Sequence, residues 1–170
     1  MTDQNKFIYR EASFTDKNQL KELGIVSYGQ FSNVLGPEHW ATLNNFLNNE
    51  EKLAELMNMS KCFVCVYENK IIGMAHIIPS GNPWHFFKSE WSYIRMVGVD
   101  PKFGGLGIAK KLTAMCIDFA KKKNEEVIAL HTSEFMDAAR HIYESLGFER
   151  VEELEKRYDK RYWLYMLHLK

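Results

Sequence analysis

The chain has 170 residues, 46% of them hydrophobic, enough to bury a sizeable core within one domain over residues 1–170. Lys+Arg and Asp+Glu number 22 each, so the formal net charge is zero and nothing points to nucleic acid or a membrane surface as partner. The start, Met1 to Lys6, is polar and no apolar run reaches membrane length, so a cytoplasmic location without a membrane partner is expected.

Three cysteines argue against a disulfide framework. Cys62 and Cys65 form a Cys-x-x-Cys, but Cys-Phe-Val-Cys reads as a strand, where residues three apart point to opposite faces. They are expected to fill space rather than to carry redox chemistry. Cys116 belongs to the apolar face of a helix. The histidines at 39, 76, 85, 131, 141 and 168 are scattered without zinc-ligand spacing, and no metal is expected.

In chain order, Phe7 to Ala12 reads as a first strand. Asp16 is placed to cap a helix whose apolar stripe holds Leu20, Leu23 and Tyr28. Gly36-Pro37 punctuates. His39 to Leu47 and Glu50 to Met59 continue as helix, broken near Asn48-Asn49. Phe63 to Tyr67 and Ile71 to Ile78 are strands of a hairpin turning at Glu68-Asn69-Lys70. A loop with Pro79 and Pro83 leads into the aromatic passage Trp84 to Lys88, and a strand follows from about Glu90 to Val99.

After a glycine-dense turn, a helix runs to about Lys123, with Ile108, Leu112, Met115, Cys116 and Phe119 on one face. Val127 to Leu130 is a buried strand ending near His131-Thr132-Ser133. A short helix from about Met136 to Leu146 stops at Gly147. Phe148 to about Leu154 and Tyr162 to Leu169 close the chain as antiparallel strands around a charged turn, Glu155 to Arg161. The order is that of a mixed α+β fold, a mostly antiparallel twisted sheet of about six or seven strands flanked by about four helices.

The turn between Val99 and Leu112 is the most telling stretch. Gly104, Gly105 and Gly107 permit positive φ and leave no Cβ in a ligand's way. A strand feeding such a turn, which then opens a helix, aims several N–H groups and the helix dipole at one spot, a setting for phosphate. A Walker A loop is missed at Ala109 and Lys111, and a Rossmann fingerprint fails at Lys110, which argues against a nucleoside triphosphate.

The pattern Val99-x-Pro101-x-x-x-Gly105-x-Gly107-Ile108-Ala109-x-x-Leu112 resembles the acetyl-coenzyme A signature of the GNAT superfamily of N-acetyltransferases. Gly104 stands where Gln or Arg is usual. A second stretch, Met136-x-x-Ala139-x-x-Ile142-Tyr143-x-x-x-Gly147-Phe148, resembles that family's Asn-x-x-Ala-x-x-Leu/Phe-Tyr-x-x-x-Gly-Phe, with Met136 in place of Asn. Together they cover roughly residues 91 to 150.

The resemblance implies a GNAT-like fold splayed at a bulged fourth strand, with acetyl-coenzyme A as the donor cosubstrate. Main-chain amides over Gly104, Gly105, Leu106, Gly107, Ile108 and Ala109 would hold the pyrophosphate, with Lys110 adding charge. Met96, Val97 and Val99 would pair with the pantetheine arm, near Met136 and Ala139. Gly98 suits either the bulge or a close backbone contact inside the sheet. Tyr143 would be the general acid for the departing thiolate; the other reading is a half-buried packing Tyr.

Transfer from a thioester to an amine needs a neutral amine, a stabilised carbonyl oxygen and a proton for the thiolate. The positions where the family carries a base hold Tyr93 and Arg95, so His131, Glu134 and Glu90 join Tyr93 as candidates, with a water chain as the alternative. Trp84, His85, Phe86, Phe87, Trp91 and Tyr93 either wall an acceptor pocket or pack core and loops. The expected acceptor is a small-molecule or peptide amine. The C-terminal aromatic strand is either a homodimer edge or an ordinary covered strand. A non-catalytic acyl-coenzyme A binding or sensing module is the alternative function.

Overall fold

The computed structural model of the protein describes residues 4–170; the first three residues of the polar start lie outside them. Seven strands form one sheet in the order β1-β2-β3-β4-β5-β7-β6. They are β1 (Ile8–Glu11), β2 (Lys61–Tyr67), β3 (Lys70–Ile78), β4 (Ser92–Val99), β5 (Val127–Ser133), β6 (Glu149–Arg157) and β7 (Lys160–His168). Every neighbouring pair is antiparallel except β4 and β5. The helices are α1 (Lys17–Gly29), the single turn α2 (Ser32–Leu35), α3 (Pro37–Leu47), α4 (Glu50–Met59), α5 (Ile108–Lys122) and α6 (Asp137–Ser145). The mixed, mostly antiparallel architecture is the expected one. The helix count is higher than about four because α2 is its own turn and Asn49 starts α4 anew by accepting from the Lys52 amide at 3.1 Å.

Strand alternation sorts the core into two faces. On one, Ile108, Leu112 and Cys116 of α5 pack against Cys65, Ile72 and Ile94. On the other, Leu20 and Leu23 of α1 pack against Cys62, Val64 and Met74. Cys62 and Cys65 thus point to opposite faces, and all three cysteines are free and buried. Burial raises the Cys62 thiol to about 12, so it stays protonated and inert.

Both tight hairpins turn on two left-handed residues, Glu68 and Asn69 between β2 and β3, and Tyr158 and Asp159 between β6 and β7. That is the twist-matching geometry of a two-residue loop. The charged segment 155–161 is therefore mostly strand. Glu155, Lys156 and Arg157 of this segment sit on β6, an edge strand, where charges discourage pairing with other chains. β7 lies between β5 and β6, so the aromatic C-terminal strand is a covered one.

Asp16 starts α1 without capping it. Its carboxylate instead accepts from the Ser13 amide at 2.8 Å and from Arg10 at 2.8 and 3.0 Å, and Arg10 holds it below the usual carboxylate range.

Candidate active site

The site is created by a failure of strand pairing. β4 and β5 are paired only at Ser92↔Ile128 and Tyr93↔Ala129. Beyond that, β5 continues beside β7 as far as Ser133↔Tyr162, while β4 turns away. The cause lies in the register of β4 against β3. Against β3, Arg95 faces His76 and Gly98 faces Met74, so Met96 and Val97 together occupy the space opposite Ala75. Met96 takes φ +54. This is a bulge, which bends a strand and sharpens its twist.

The bulge falls on Met96–Val97 and not on Gly98. Gly98 serves the other role considered for it: a Cβ there would stand 2.9 Å from Ser27 Oγ and 3.3 Å from Met74 Cε. Its bareness lets α1 lie close on the sheet.

A cavity of about 1110 Å³ fills the split and is lined from both faces of the sheet. On the α5 side its rim is the glycine turn. Among the described residues, none of the six main-chain N–H groups from Gly105 to Lys110 has an acceptor within the protein; the neighbouring amides do, Gly104 to Pro101 O at 3.1 Å and Lys111 to Gly107 O at 3.0 Å. Gly105 and Gly107 take φ +76 and +81, with nothing within 4 Å of where a Cβ would stand. Free donors, open space and the N-terminus of a 15-residue helix fit a diphosphate. The exposed Lys110 borders the same cavity.

Tyr143 projects from α6 into the cavity on the α5 side. Its ring packs edge-on against Phe148 at 5.9 Å, and the residue is 6% exposed. Its hydroxyl makes no hydrogen bond with any described residue. Burial raises the phenol above its ordinary value, so it holds its proton throughout the working range. A second phenol, Tyr28 of α1, is raised by burial to about 12 and reaches the Val97 carbonyl at 3.5 Å.

The opposite side of the sheet carries a different chemistry. His131 sits among Phe86 at 5.3 Å, Phe87 at 5.8 Å and Tyr162 at 5.7 Å. Its Nδ1 is buried without a partner. Burial, then the positive charges of Arg157 and Arg95, lower its pKa to about 3. It is a neutral imidazole at any physiological pH, a hydrogen-bonding group and a weak base. Arg95 lies 3.8 Å over the Trp84 ring.

Of the candidate residues, the cavity gathers Met96, Val97, Val99, Gly104, Gly105, Gly107, Ile108, Ala109, Lys110, Met136, Ala139, Tyr143 and His131. Leu106 contributes its amide, while its side chain packs on the core. Tyr93 is elsewhere: fully buried, it stacks on Phe87 at 4.4 Å and donates to Asn82 O at 2.9 Å. Glu134 and Glu90 also lie off the cavity; the Glu134 main chain is occupied by Arg161 O at 3.1 Å and Arg140 at 3.2 Å. Of the aromatic passage only Trp84 and His85 reach the cavity; Phe86 and Phe87 stack beneath.

Sequence reasoning missed Tyr28, Phe31, Phe135, Arg157, Tyr158 and Tyr162 on the cavity wall. They come from α1, the α1–α2 corner, the loop before α6 and the β6–β7 hairpin, and only folding brings them together. Arg95 alone carried a signal, as the one charge in the strand Ser92–Val99.

No group of three or more potential metal ligands occurs among the described residues, and no helix there is long and apolar enough to cross a membrane. Several solved structures share the fold. A PaiA N-acetyltransferase from Thermoplasma acidophilum in complex with coenzyme A superposes with a TM-score of 0.76 at 14% identity, over 95% of this chain and 98% of that one. The ribosomal-protein-S18-alanine N-acetyltransferase from Escherichia coli gives 0.72 at 16% identity, over 96% and 94%. In sequence, an N-acetylaspartate synthetase from Danio rerio is 45% identical over 62 residues, 36% of this chain and 22% of that protein. N-alpha-acetyltransferase 30 from Schizosaccharomyces pombe is 38% identical over 66 residues, 39% of this chain and 44% of that protein. The matches thus span less than half the length of these curated relatives. Residues 28–148 match the Acetyltransferase (GNAT) family as a whole, and the chain belongs to that family.

Proposed function

We propose that the protein transfers an acetyl group from acetyl-coenzyme A to a primary amine by direct attack, within a domain spanning residues 1–170. When bound, the cosubstrate supplies a thioester carbonyl whose bond to sulfur is exchanged for one to nitrogen. The single observation that carries this reading is the row of six unpaired amides, Gly105 to Lys110, at the rim of the cavity that Tyr143 faces. The amides grip the diphosphate, and the bulged β4 offers Met96, Val97 and Val99 to the pantetheine arm. Met136 and Ala139 line the arm's other side.

Tyr143 is assigned as general acid. Its unengaged hydroxyl and its raised pKa leave a proton available for the departing thiolate. The amine's own proton passes to water, because no carboxylate stands at His131 and that imidazole is held neutral. A small-molecule acceptor is favoured over a polypeptide. Phe31 meets Phe135 at 5.1 Å on the cavity wall, which narrows the acceptor side. The relatives' names include both an N-acetylaspartate synthetase and N-alpha-acetyltransferases.

The same absence of a strong base suits a second reading, an acyl-coenzyme A binding module without turnover. Thermal shift with acetyl-coenzyme A against ATP tests the cofactor assignment; an ATP response equal to that of acetyl-coenzyme A overturns it. Thiol release with a panel of amines then separates an enzyme from a binding module.

A further inference from the structure

The acceptor half of the cavity holds two arginines with no acidic partner. Arg95 and Arg157 both line it, and among the described residues neither side chain makes a hydrogen bond or an ion pair. Other arginines of the chain do: Arg10 with Asp16, Arg140 with Asp137, Arg161 with Glu153. Among the described residues, the partners of these two side chains are rings. Arg95 lies 3.8 Å over Trp84, and Arg157 lies 5.8 Å from the Tyr162 ring.

His131 stands between those rings, at 6.5 Å from Trp84 and 5.7 Å from Tyr162. Its Nδ1 is a buried polar atom with nothing to bond. Both arginines act on it electrostatically, and no carboxylate appears among the groups that do. The groups acting on Arg95 likewise include no carboxylate. Half-burying the Arg95 guanidinium without a counter-ion carries a desolvation cost, and so does leaving the buried His131 nitrogen unpaired. A protein that tolerates both in one cavity has left a place for an anion.

Strand alternation adds the geometry. Arg95 and His131 share the sheet face opposite to Ile94 and Leu130, which pack with Tyr143 in the α5-side core. The Arg95 guanidinium and the neutral His131 imidazole therefore sit across the β4–β5 split from the phenol.

Resting on the transferase reading above, we propose that the acceptor is a free amino acid or similar small amine bearing a carboxylate, which Arg95, Arg157 and His131 hold while its amine faces the split. Arg is the residue suited to this, since its planar fork pairs with both carboxylate oxygens. The stacked rings keep each guanidinium in position when the site is empty.

The test uses the full chain and matched acceptors: each of a set of L-amino acids beside its α-amide and its decarboxylated amine, plus short peptides with free N-termini, read by thiol release. Acetyl-coenzyme A affinity is measured by calorimetry on the same protein. We expect at least one acid to exceed its amide by ~10- to 100-fold in kcat/KM, the worth of a charge-assisted pair. Arg157→Gln should shrink that acid-to-amide ratio about tenfold through KM, without changing acetyl-coenzyme A affinity. Arg157→Lys should restore part of it, and Arg95→Gln should repeat the loss if it folds. A protein that binds acetyl-coenzyme A yet treats acid and amide alike, prefers peptides, acetylates none of these amines, or keeps its ratio in Arg157→Gln overturns the proposal. Absence of acetyl-coenzyme A binding removes the transferase reading itself, and this one with it.

Discussion

Replacing Tyr143 by Phe separates the structural contribution of this side chain from its chemical one. The ring would keep its edge-on contact with Phe148 at 5.9 Å. The lost hydroxyl has no hydrogen-bond partner among the described residues, so folding loses no bond and strands no partner. The change in unfolding free energy should stay within about 0.5 kcal/mol. Affinity for acetyl-coenzyme A should likewise hold, because the diphosphate grip belongs to main-chain donors on another element. Turnover is different. A positioned general acid contributes about 10²- to 10⁴-fold, roughly 3–5 kcal/mol of barrier. Steady-state thiol release at saturating acetyl-coenzyme A, with calorimetry for affinity and urea melts for stability, reads the three quantities independently. Because burial raises the phenol, the wild-type rate should show no fall from Tyr143 ionisation below about pH 10. A Phe variant that keeps kcat within about threefold would remove Tyr143 from the chemistry. A variant that loses stability instead would make it a packing residue.

Gly107→Val adds a branched side chain at φ +81, where nothing inside the protein would touch its Cβ. We expect a fold strained by about 1–2 kcal/mol and at least ~100-fold weaker acetyl-coenzyme A binding from blocking the turn; unchanged calorimetric affinity would discard the turn as the diphosphate site. Gly73→Ala places a Cβ 2.7 Å from Ile108 Cγ2 and 3.0 Å from Leu112 Cδ1. It should cost about 1–3 kcal/mol as overpacking and also weaken the cofactor by displacing the start of α5; a melting temperature equal to wild type would contradict the packing described.

His76 is fully buried, near Ser60 Oγ at 3.3 Å and Cys62 Sγ at 3.7 Å, and burial lowers its pKa to about 3. The folded value lies below the unfolded one of about 6.5, so the unfolded chain binds the extra proton and stability falls as pH drops through that window. The loss between pH 7 and pH 5 should be about 2 kcal/mol for His76, with His131 adding loss of the same sign. Urea midpoints at the two pH values check it, and a His76→Gln variant with an undiminished pH dependence would refute it.

What the sequence determined by itself is local. Glycines at 104, 105 and 107 between a β-prone run and an amphipathic helix suffice to predict a turn rich in free donors, since backbone freedom and helix ends are properties of short segments. The spacing of Ala139, Tyr143 and Gly147 likewise stands in one helix and its cap. Period-2 alternation put Cys62 and Cys65 on opposite faces before any fold was known.

Tertiary structure alone decided where pairing stops. The bulge falls on Met96–Val97 because Arg95 and Gly98 find partners in His76 and Met74 with one residue fewer between them, a count that depends on β3 as much as on β4. Tyr93 went from candidate base to buried stack because the loop after β3 folds back over it and offers the Asn82 carbonyl. The acceptor side was illegible for the same reason. Arg95 and Arg157 lie 62 positions apart in the chain, and their lack of acidic partners exists only in three dimensions, where charge must be balanced within a few ångströms.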